Sequence, residues 1–226
     1  VSERFLVIIP ALNAEKTVVN VIRAAREVLE PVIVVDDGSS DGTGHVASEA
    51  GATVLRHDVN RGKGGALKTA FAYALSHGYD GVITLDADGQ HLPPEIPKFI
   101  QARAGSGADL IIGGRALHFD AMLPRRRRAN RFSAWSISKT AGVKVSDSQS
   151  GFRFYSAKLL RSVQLRSDGF DMESEVIVRA GRGGFSVHTI PIDLGFVDGL
   201  TTSHYRPLKD TLRIAWTVFR TRFIWR

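Results

Sequence analysis

The stretch Gly81-Val82-Ile83-Thr84-Leu85-Asp86-Ala87-Asp88-Gly89-Gln90 decides how the rest of this chain is read. Its first half is apolar and partly β-branched, as a buried strand requires. Its second half delivers two carboxylates and an amide where that strand ends. In an open α/β sheet this carboxyl edge is where ligands bind. Hard oxygen donors there suit Mg²⁺ or Mn²⁺, and such a cation suits a diphosphate.

Outward from this stretch, short apolar runs alternate with helix-forming segments. The runs at 5–9, 32–35, 53–55, 82–85 and 110–112 read as strands. The segments 17–29, 42–50, 64–76 and 94–104 read as helices, with Gly78 a C-cap after the third and prolines opening the fourth. This alternation predicts an α/β fold: a mainly parallel, Rossmann-like sheet covered by helices on both faces. Right-handed crossovers gather the strand-to-helix loops on one edge. The second half is less regular. A helix is expected over 130–140, a loop over 145–151 and a strand over 152–155. A helix over 171–180 and strands over 186–191 and 193–197 follow. No linker interrupts residues 1–205, so they read as one domain.

Residues 208–223 carry apolar side chains at 208, 212, 215, 216, 219 and 223, which fall within about 100° of helical arc. Lys209, Arg213 and Arg220 lie beside that stripe, and Trp216 and Trp225 suit an interface. Residues 206–226 thus read either as a basic amphipathic helix for a membrane surface or as a helix packed on the core. The segment is too charged and too short to span a bilayer.

The chain has 226 residues, 43% of them hydrophobic, enough for a substantial core. It has no cysteine, which excludes disulfides, thiolate zinc sites and cysteine nucleophiles. The first ten residues read as a strand and not as a signal peptide. The net charge of +7 is concentrated. Residues 115–139 hold seven Lys/Arg against one Asp, and 206–226 hold six against one, while the remainder is net acidic. Such patches attract lipid headgroups, phosphates or nucleic acid.

Three loops add chemistry. Asp36-Asp37-Gly38-Ser39-Ser40-Asp41-Gly42-Thr43 follows a strand and offers acceptors for ribose hydroxyls or a base edge, or a turn with Ser40 or Asp41 as helix cap. An EF-hand is excluded, because the twelfth positions counted from Asp36, Asp37 and Asp86 are Ala47, Ser48 and Pro97. Asn60-Arg61-Gly62-Lys63-Gly64-Gly65 can cradle an anion at a helix start, without the Walker A spacing.

Together these segments resemble family 2 glycosyltransferases of the GT-A fold, and among them the dolichyl- and polyprenyl-phosphate sugar synthases. Val7 to Glu15, Asp36 to Thr43 and Asn60 to Gly64 look like the family's three nucleotide-contact segments. Asp86-Ala87-Asp88-Gly89-Gln90-His91 is similar to its metal motif. Gly113-Gly114-Arg115, Arg127-Arg128-Ala129-Asn130 and Asp147 to Arg153 resemble its acceptor side. The opening segment departs from the family pattern in reading Asn13-Ala14-Glu15 where Asn and Glu are adjacent.

The resemblance implies an inverting transferase with a nucleotide-sugar donor (GDP-mannose or UDP-hexose), a polyprenyl-phosphate acceptor and Mg²⁺ or Mn²⁺. It also implies a peripheral place on the cytoplasmic face of a membrane, with no nucleic acid partner. Nucleotide contacts are then expected from Pro10, Ala11, Asn13, Glu15, Asp36, Asp37, Ser39, Asp41, Lys63, Gly64, Asp86 and Ala87. Asp88 and Gln90 would ligate the metal, and Asp86 would join them or hold the ribose or a metal-bound water. Arg115, Arg127, Arg128, Ser150 and Arg153 would grip the acceptor phosphate. Asp88, Arg115 and Asp147 are the catalytic candidates, with Asp147 a base for a hydroxyl acceptor or otherwise a loop cap. Glu173 lies near the acceptor or is structural, and His91 is a further ligand or a loop hydrogen bond. A phosphate monoester is largely ionised at neutral pH, with a second pKa of about 6, so it needs positioning by arginine forks more than a base. Competing readings are a soluble transferase acting on a hydroxyl, a nucleic-acid binder and a nucleotidyltransferase.

Overall fold

The computed structural model describes residues 3–115, 124–195 and 207–224; residues 124–129 and 207–212 enter through their helical backbone alone. The chain order is β1 (Phe5–Ala11), α1 (Val18–Arg26), β2 (Val32–Asp36), α2 (Thr43–Glu49), β3 (Thr53–Arg56), α3 (Lys63–Ser76) and β4 (Gly81–Thr84). A short 3₁₀ turn (Pro93–Glu95) leads into α4 (Ile96–Ser106) and β5 (Leu110–Gly114). Then come α5 (Pro124–Ala141), β6 (Arg153–Ser156), α6 (Ala157–Ser162), α7 (Met172–Arg182), β7 (Val187–Pro191) and α8 (Pro207–Phe223).

The strands form one seven-stranded sheet in the order β3-β2-β1-β4-β6-β5-β7. β1 pairs in parallel with β2 on one side and with β4 on the other. The winding reverses at β1, and that switch point opens a cleft beyond the carboxyl ends of β1 and β4. The apolar runs alternate faces. Leu6, Ile8, Ile33 and Val35 pack with α3, α5, α7 and α8, whereas Val7, Ile9, Val32 and Val34 pack with α1, α2 and α4. Both faces are therefore covered, as continuous apolar strands require.

The second half departs from the sequence reading at five places, the first being α5, which begins six residues before the expected 130. β6 begins one residue later than expected and runs antiparallel to both β4 and β5. Its preceding loop, 145–152, consequently arrives at the edge where β4 and β5 end. The short helix α6, capped by Ser156 Oγ accepting from Leu159 N at 3.1 Å, was not foreseen. The expected strand at 193–197 is, among the described residues, a single bridge between Leu194 and His91; residues 196 and 197 lie outside them. Finally, α8 does pack on the domain, but through Ile214, Thr217, Val218 and Thr221. The side chains of Trp216, Phe219 and Phe223 from the stripe read in the sequence face outward, and Trp225 lies outside the described residues.

Helix α3 ends as Gly78 suggested. With φ +71° at Gly78, the Gly78 N–H reaches Leu75 O and the Tyr79 N–H reaches Ala74 O, a Schellman closure.

Candidate active site

A cavity of about 250 Å³ lies at the switch point. β1 contributes Pro10 and Ala11, the loop after it contributes Asn13, the loop after β2 contributes Asp37, α3 contributes Lys63, and the loop after β4 contributes Asp86, Ala87 and Asp88. Eight of the residues singled out in the sequence thus meet in one place. Asn60, Gly62 and Phe170 also line it. Phe170 carried no signal in the sequence, because its loop has neither periodicity nor a motif; its ring lies 5.6 Å from Lys63 Nζ.

The expected nucleotide residues that do not line the cavity stand one layer back. Asn13, at φ +51°, accepts from Ser40 N at 2.9 Å through Oδ1 and donates its own N–H to Ser39 Oγ at 2.9 Å. Glu15 N–H donates to Asp41 Oδ2 at 3.3 Å, and Glu15 Oε2 accepts from Gly42 N at 3.2 Å. Glu15, Ser39 and Asp41 therefore stitch the loop after β1 to the loop after β2. Asp41 Oδ1 also accepts from Thr43 N at 3.0 Å, at the start of α2. Asp36 is fully buried, with Oδ1 accepting from Ser39 N at 3.0 Å and Oδ2 wedged against Gly44. Asp37, one residue on, is the carboxylate that reaches the cavity wall; its Oδ1 accepts from Arg61 N at 2.9 Å and sits 2.6 Å from His57 Nδ1. Gly64 packs against the backbone of Asp168 and Gly169.

The electrostatic centre is Lys63. Its Nζ lies 2.6 Å from Asp86 Oδ1 and 3.0 Å from Glu173 Oε1. Burial alone would lower this ammonium's pKa, but the two carboxylates more than reverse that. Burial likewise pushes Asp86 up, and Lys63 above all brings it down to about 2. Asp88 moves the other way: burial raises its pKa, and the negative charge on Asp86 raises it further. His91 is buried and driven down to about 4 by that burial, so it is neutral at pH 7. Its Nδ1 accepts the Asp86 N–H at 3.3 Å, which makes it a support of the loop. Gln90 is exposed beside these groups, outside the cavity lining.

The acceptor-side candidates divide. Arg115 and Asp147 form a two-pronged pair, Nε to Oδ2 at 2.7 Å and Nη2 to Oδ1 at 3.0 Å. Asp147 also accepts from Arg115 N at 3.2 Å and Gln149 N at 3.0 Å. Burial would raise its pKa, yet the Arg115 fork holds it below the usual carboxylate range. A carboxylate bonded in this way holds Arg115 in place. Arg153 has other partners. It is fully buried, and it donates to three backbone carbonyls: Ser150 O at 2.7 Å, Glu173 O at 2.7 Å and Ser148 O at 2.9 Å. Its guanidinium clamps the loop before β6 to α7. Ser150 is fully buried beside it, with Oγ accepting from Phe152 N at 3.4 Å. Arg127 and Arg128 lie in α5, and their side chains are outside the described residues.

An open α/β sheet with a cleft at its switch point, walled by carboxylates and one lysine, defines a protein that binds its ligand at the carboxyl edge of the sheet. Known proteins narrow this class. The profile of glycosyl transferase family 2 matches residues 6–164. The UDP-N-acetylglucosamine–dolichyl-phosphate N-acetylglucosaminyltransferase of Methanococcus voltae is 31% identical over 208 residues, 82% of this chain and 83% of that one. The polyprenol monophosphomannose synthase of Mycolicibacterium smegmatis is 32% identical over 209 residues, 84% of this chain and 77% of that one. Glucosyl-3-phosphoglycerate synthase of Mycobacterium tuberculosis, crystallised with Mn²⁺, UDP and glucosyl-3-phosphoglycerate, has the same GT-A fold. It superimposes with a TM-score of 0.71 over 98% of this chain and 80% of that one, at 22% identity. The chain belongs to glycosyl transferase family 2, and it is a glycosyltransferase.

Proposed function

We propose that this enzyme moves a hexose from a nucleoside-diphosphate sugar to the phosphate of a polyprenyl lipid, with inversion at the anomeric carbon and a bound Mg²⁺ or Mn²⁺. The observation that carries the reading is the convergence of Asp37, Lys63, Asp86 and Asp88 on one cavity at the switch point. Both of these relatives, each matching more than four fifths of this chain, are named for polyprenyl- or dolichyl-phosphate acceptors, which supports the lipid.

The donor set fits a divalent ion. Asp86 and Asp88 are hard carboxylates in one cavity, and burial together with the negative charge on Asp86 raises the Asp88 pKa, a cost that a cation relieves. Asp88 and Gln90, with Asp86 as third candidate, would hold it. When bound, such an ion supplies Lewis-acid stabilisation of charge on the departing diphosphate. The chain's own groups do the rest. Asp37 and the loop around Asn13 receive the nucleoside, and Lys63 neutralises the diphosphate. Arg115, oriented by Asp147, presents its remaining guanidinium edge to the acceptor phosphate, with Arg127 and Arg128 supplying further charge. The phosphate oxygen attacks the anomeric carbon opposite the leaving diphosphate, forming one C–O bond as the other breaks. A hydroxyl acceptor would need a general base, and Asp147 is held ionised and fully engaged instead. The reading places the enzyme peripherally on the cytoplasmic face of a membrane.

Purified protein with radiolabelled GDP-mannose or UDP-glucose in parallel, detergent-dispersed polyprenyl phosphate and Mn²⁺ or Mg²⁺ should put label into the organic phase. Chelation should abolish it, and Asp88→Asn should lower it by roughly 100-fold or more. Label appearing only in aqueous hydroxyl acceptors would overturn the lipid reading.

A further inference from the structure

Helix α8 is apolar on two faces. Ile214, Thr217, Val218 and Thr221 are buried against the domain, and Asp171 anchors that face through Thr217 Oγ1 at 2.7 Å and Arg213 Nε at 2.9 Å. On the other face Trp216, Phe219 and Phe223 are between 48% and 60% exposed. Their rings follow one another along the helix, with centroids 5.7 and 5.0 Å apart. Helix α5, which touches α8, exposes Phe132 and Trp135. With Ile224 these are six of the seven large hydrophobic side chains exposed among the described residues; the seventh is Val59. Scattered exposure needs no explanation, but concentration on two touching helices marks an interface. Cations border the rings. Lys139 lies 5.5 Å from the Trp135 ring, Arg220 5.9 Å from Trp216 and Arg222 5.2 Å from Phe223.

We propose that the α5–α8 face seats on an anionic bilayer, with its rings at the headgroup boundary and its cations on the lipid phosphates. Charge selects this occupant. A second copy meeting the same face would bring two sets of cations together, whereas an anionic surface neutralises them. The surface is also tied to the donor cavity. Asp171, held by α8, directly follows Phe170, which lines the cavity beside Lys63. The inference deepens the lipid-acceptor reading by naming the surface that brings the enzyme to its substrate.

The test is co-sedimentation of the purified protein with phosphatidylglycerol–phosphatidylcholine vesicles that contain no polyprenyl phosphate. Binding should require phosphatidylglycerol and weaken with salt. The double variant Trp216→Ala, Phe219→Ala should lower the partition constant at least tenfold with an unchanged thermal midpoint. Wild-type protein that ignores these vesicles, or a variant that binds them equally, overturns the proposal. So does a wild-type dimer that the same substitutions convert to a monomer, since the face would then belong to a second copy. Sugar transfer to detergent-dispersed polyprenyl phosphate without vesicle binding sinks the docking surface alone. Vesicle binding without such transfer supports the surface and sinks the acceptor reading.

Discussion

At Gly151 the loop before β6 lies so close to the ion pair that a Cβ would stand 2.7 Å from both Asp86 Oδ2 and Lys63 Nζ. Gly151→Ala must push the pair apart or lift the loop. The expected result is a fall in kcat/KM of roughly 100-fold, because misplacement by about 1 Å is enough for that, with little change in thermal midpoint. Kinetics and a thermal melt on the same variant check it, and wild-type kinetics would detach this loop from the chemistry. His91 makes a separate prediction about pH. Its folded pKa of about 4 lies below the ordinary 6.5, so between those values the unfolded chain binds the extra proton. Stability should therefore fall as pH drops from 6.5 to 4, by at most about 3 kcal/mol from this residue. Asp86, depressed to about 2, stabilises the fold at neutral pH and loses that contribution only below the carboxylate range, as pH falls toward 2, so the two windows separate. Urea unfolding of metal-free protein at pH 7 and pH 4.5, for wild type and His91→Gln, measures the difference. A variant with the same pH dependence as wild type would assign the loss elsewhere.

Among the elements, β6 is the one whose preceding loop brings Gly151 against the Lys63–Asp86 pair, and its direction was not legible. Alternating side chains reveal that a segment is a strand and which face is buried; they carry no information on whether it runs with or against its neighbours. The parallel half was legible because each apolar run is followed by a turn signal and a helical period. The cavity residues were legible for the same reason, since they stand where those runs stop. The burial of Arg153 was not legible, because an arginine in a loop-to-strand motif reads the same whether it meets a phosphate or backbone carbonyls. Asp36 and Asp37 could not be told apart in the sequence, and only the end of β2 sends one inward and the other to the cavity wall. The clamp reading of Arg153 has its own test. Arg153→Met removes the donors to Ser148, Ser150 and Glu173 and should cost about 3–5 kcal/mol, the range for breaking a buried charged network. Chemical denaturation would show it. Unchanged stability with a raised acceptor KM would restore Arg153 to the phosphate site.

Across the whole molecule, charge is arranged in two different ways. Inside the cavity it is paired at contact distance: Lys63 lies between Asp86 and Glu173, and next to the cavity Arg115 lies on Asp147. On α5 and α8 it is massed, with Arg125 to Arg128, Arg131 and Lys139 on one helix and Arg213, Arg220 and Arg222 on the other. Paired charges separated by less than a screening length are little affected by salt, whereas a massed patch acts at a distance and is screened. The screening length falls from about 10 Å at 0.1 M to about 3 Å at 1 M. Raising KCl across that range should therefore raise KM for polyprenyl phosphate in neutral detergent at least about fivefold, and KM for the nucleotide sugar by less than about twofold. Removing part of the patch with Arg127→Ala and Arg128→Ala should raise the acceptor KM at low salt and shrink its response to KCl. Initial rates at two ionic strengths, with each substrate varied in turn, decide it. Equal salt responses for donor and acceptor would mean that the basic helices do not recruit the lipid phosphate, and that the acceptor enters by short-range contacts at Arg115 alone.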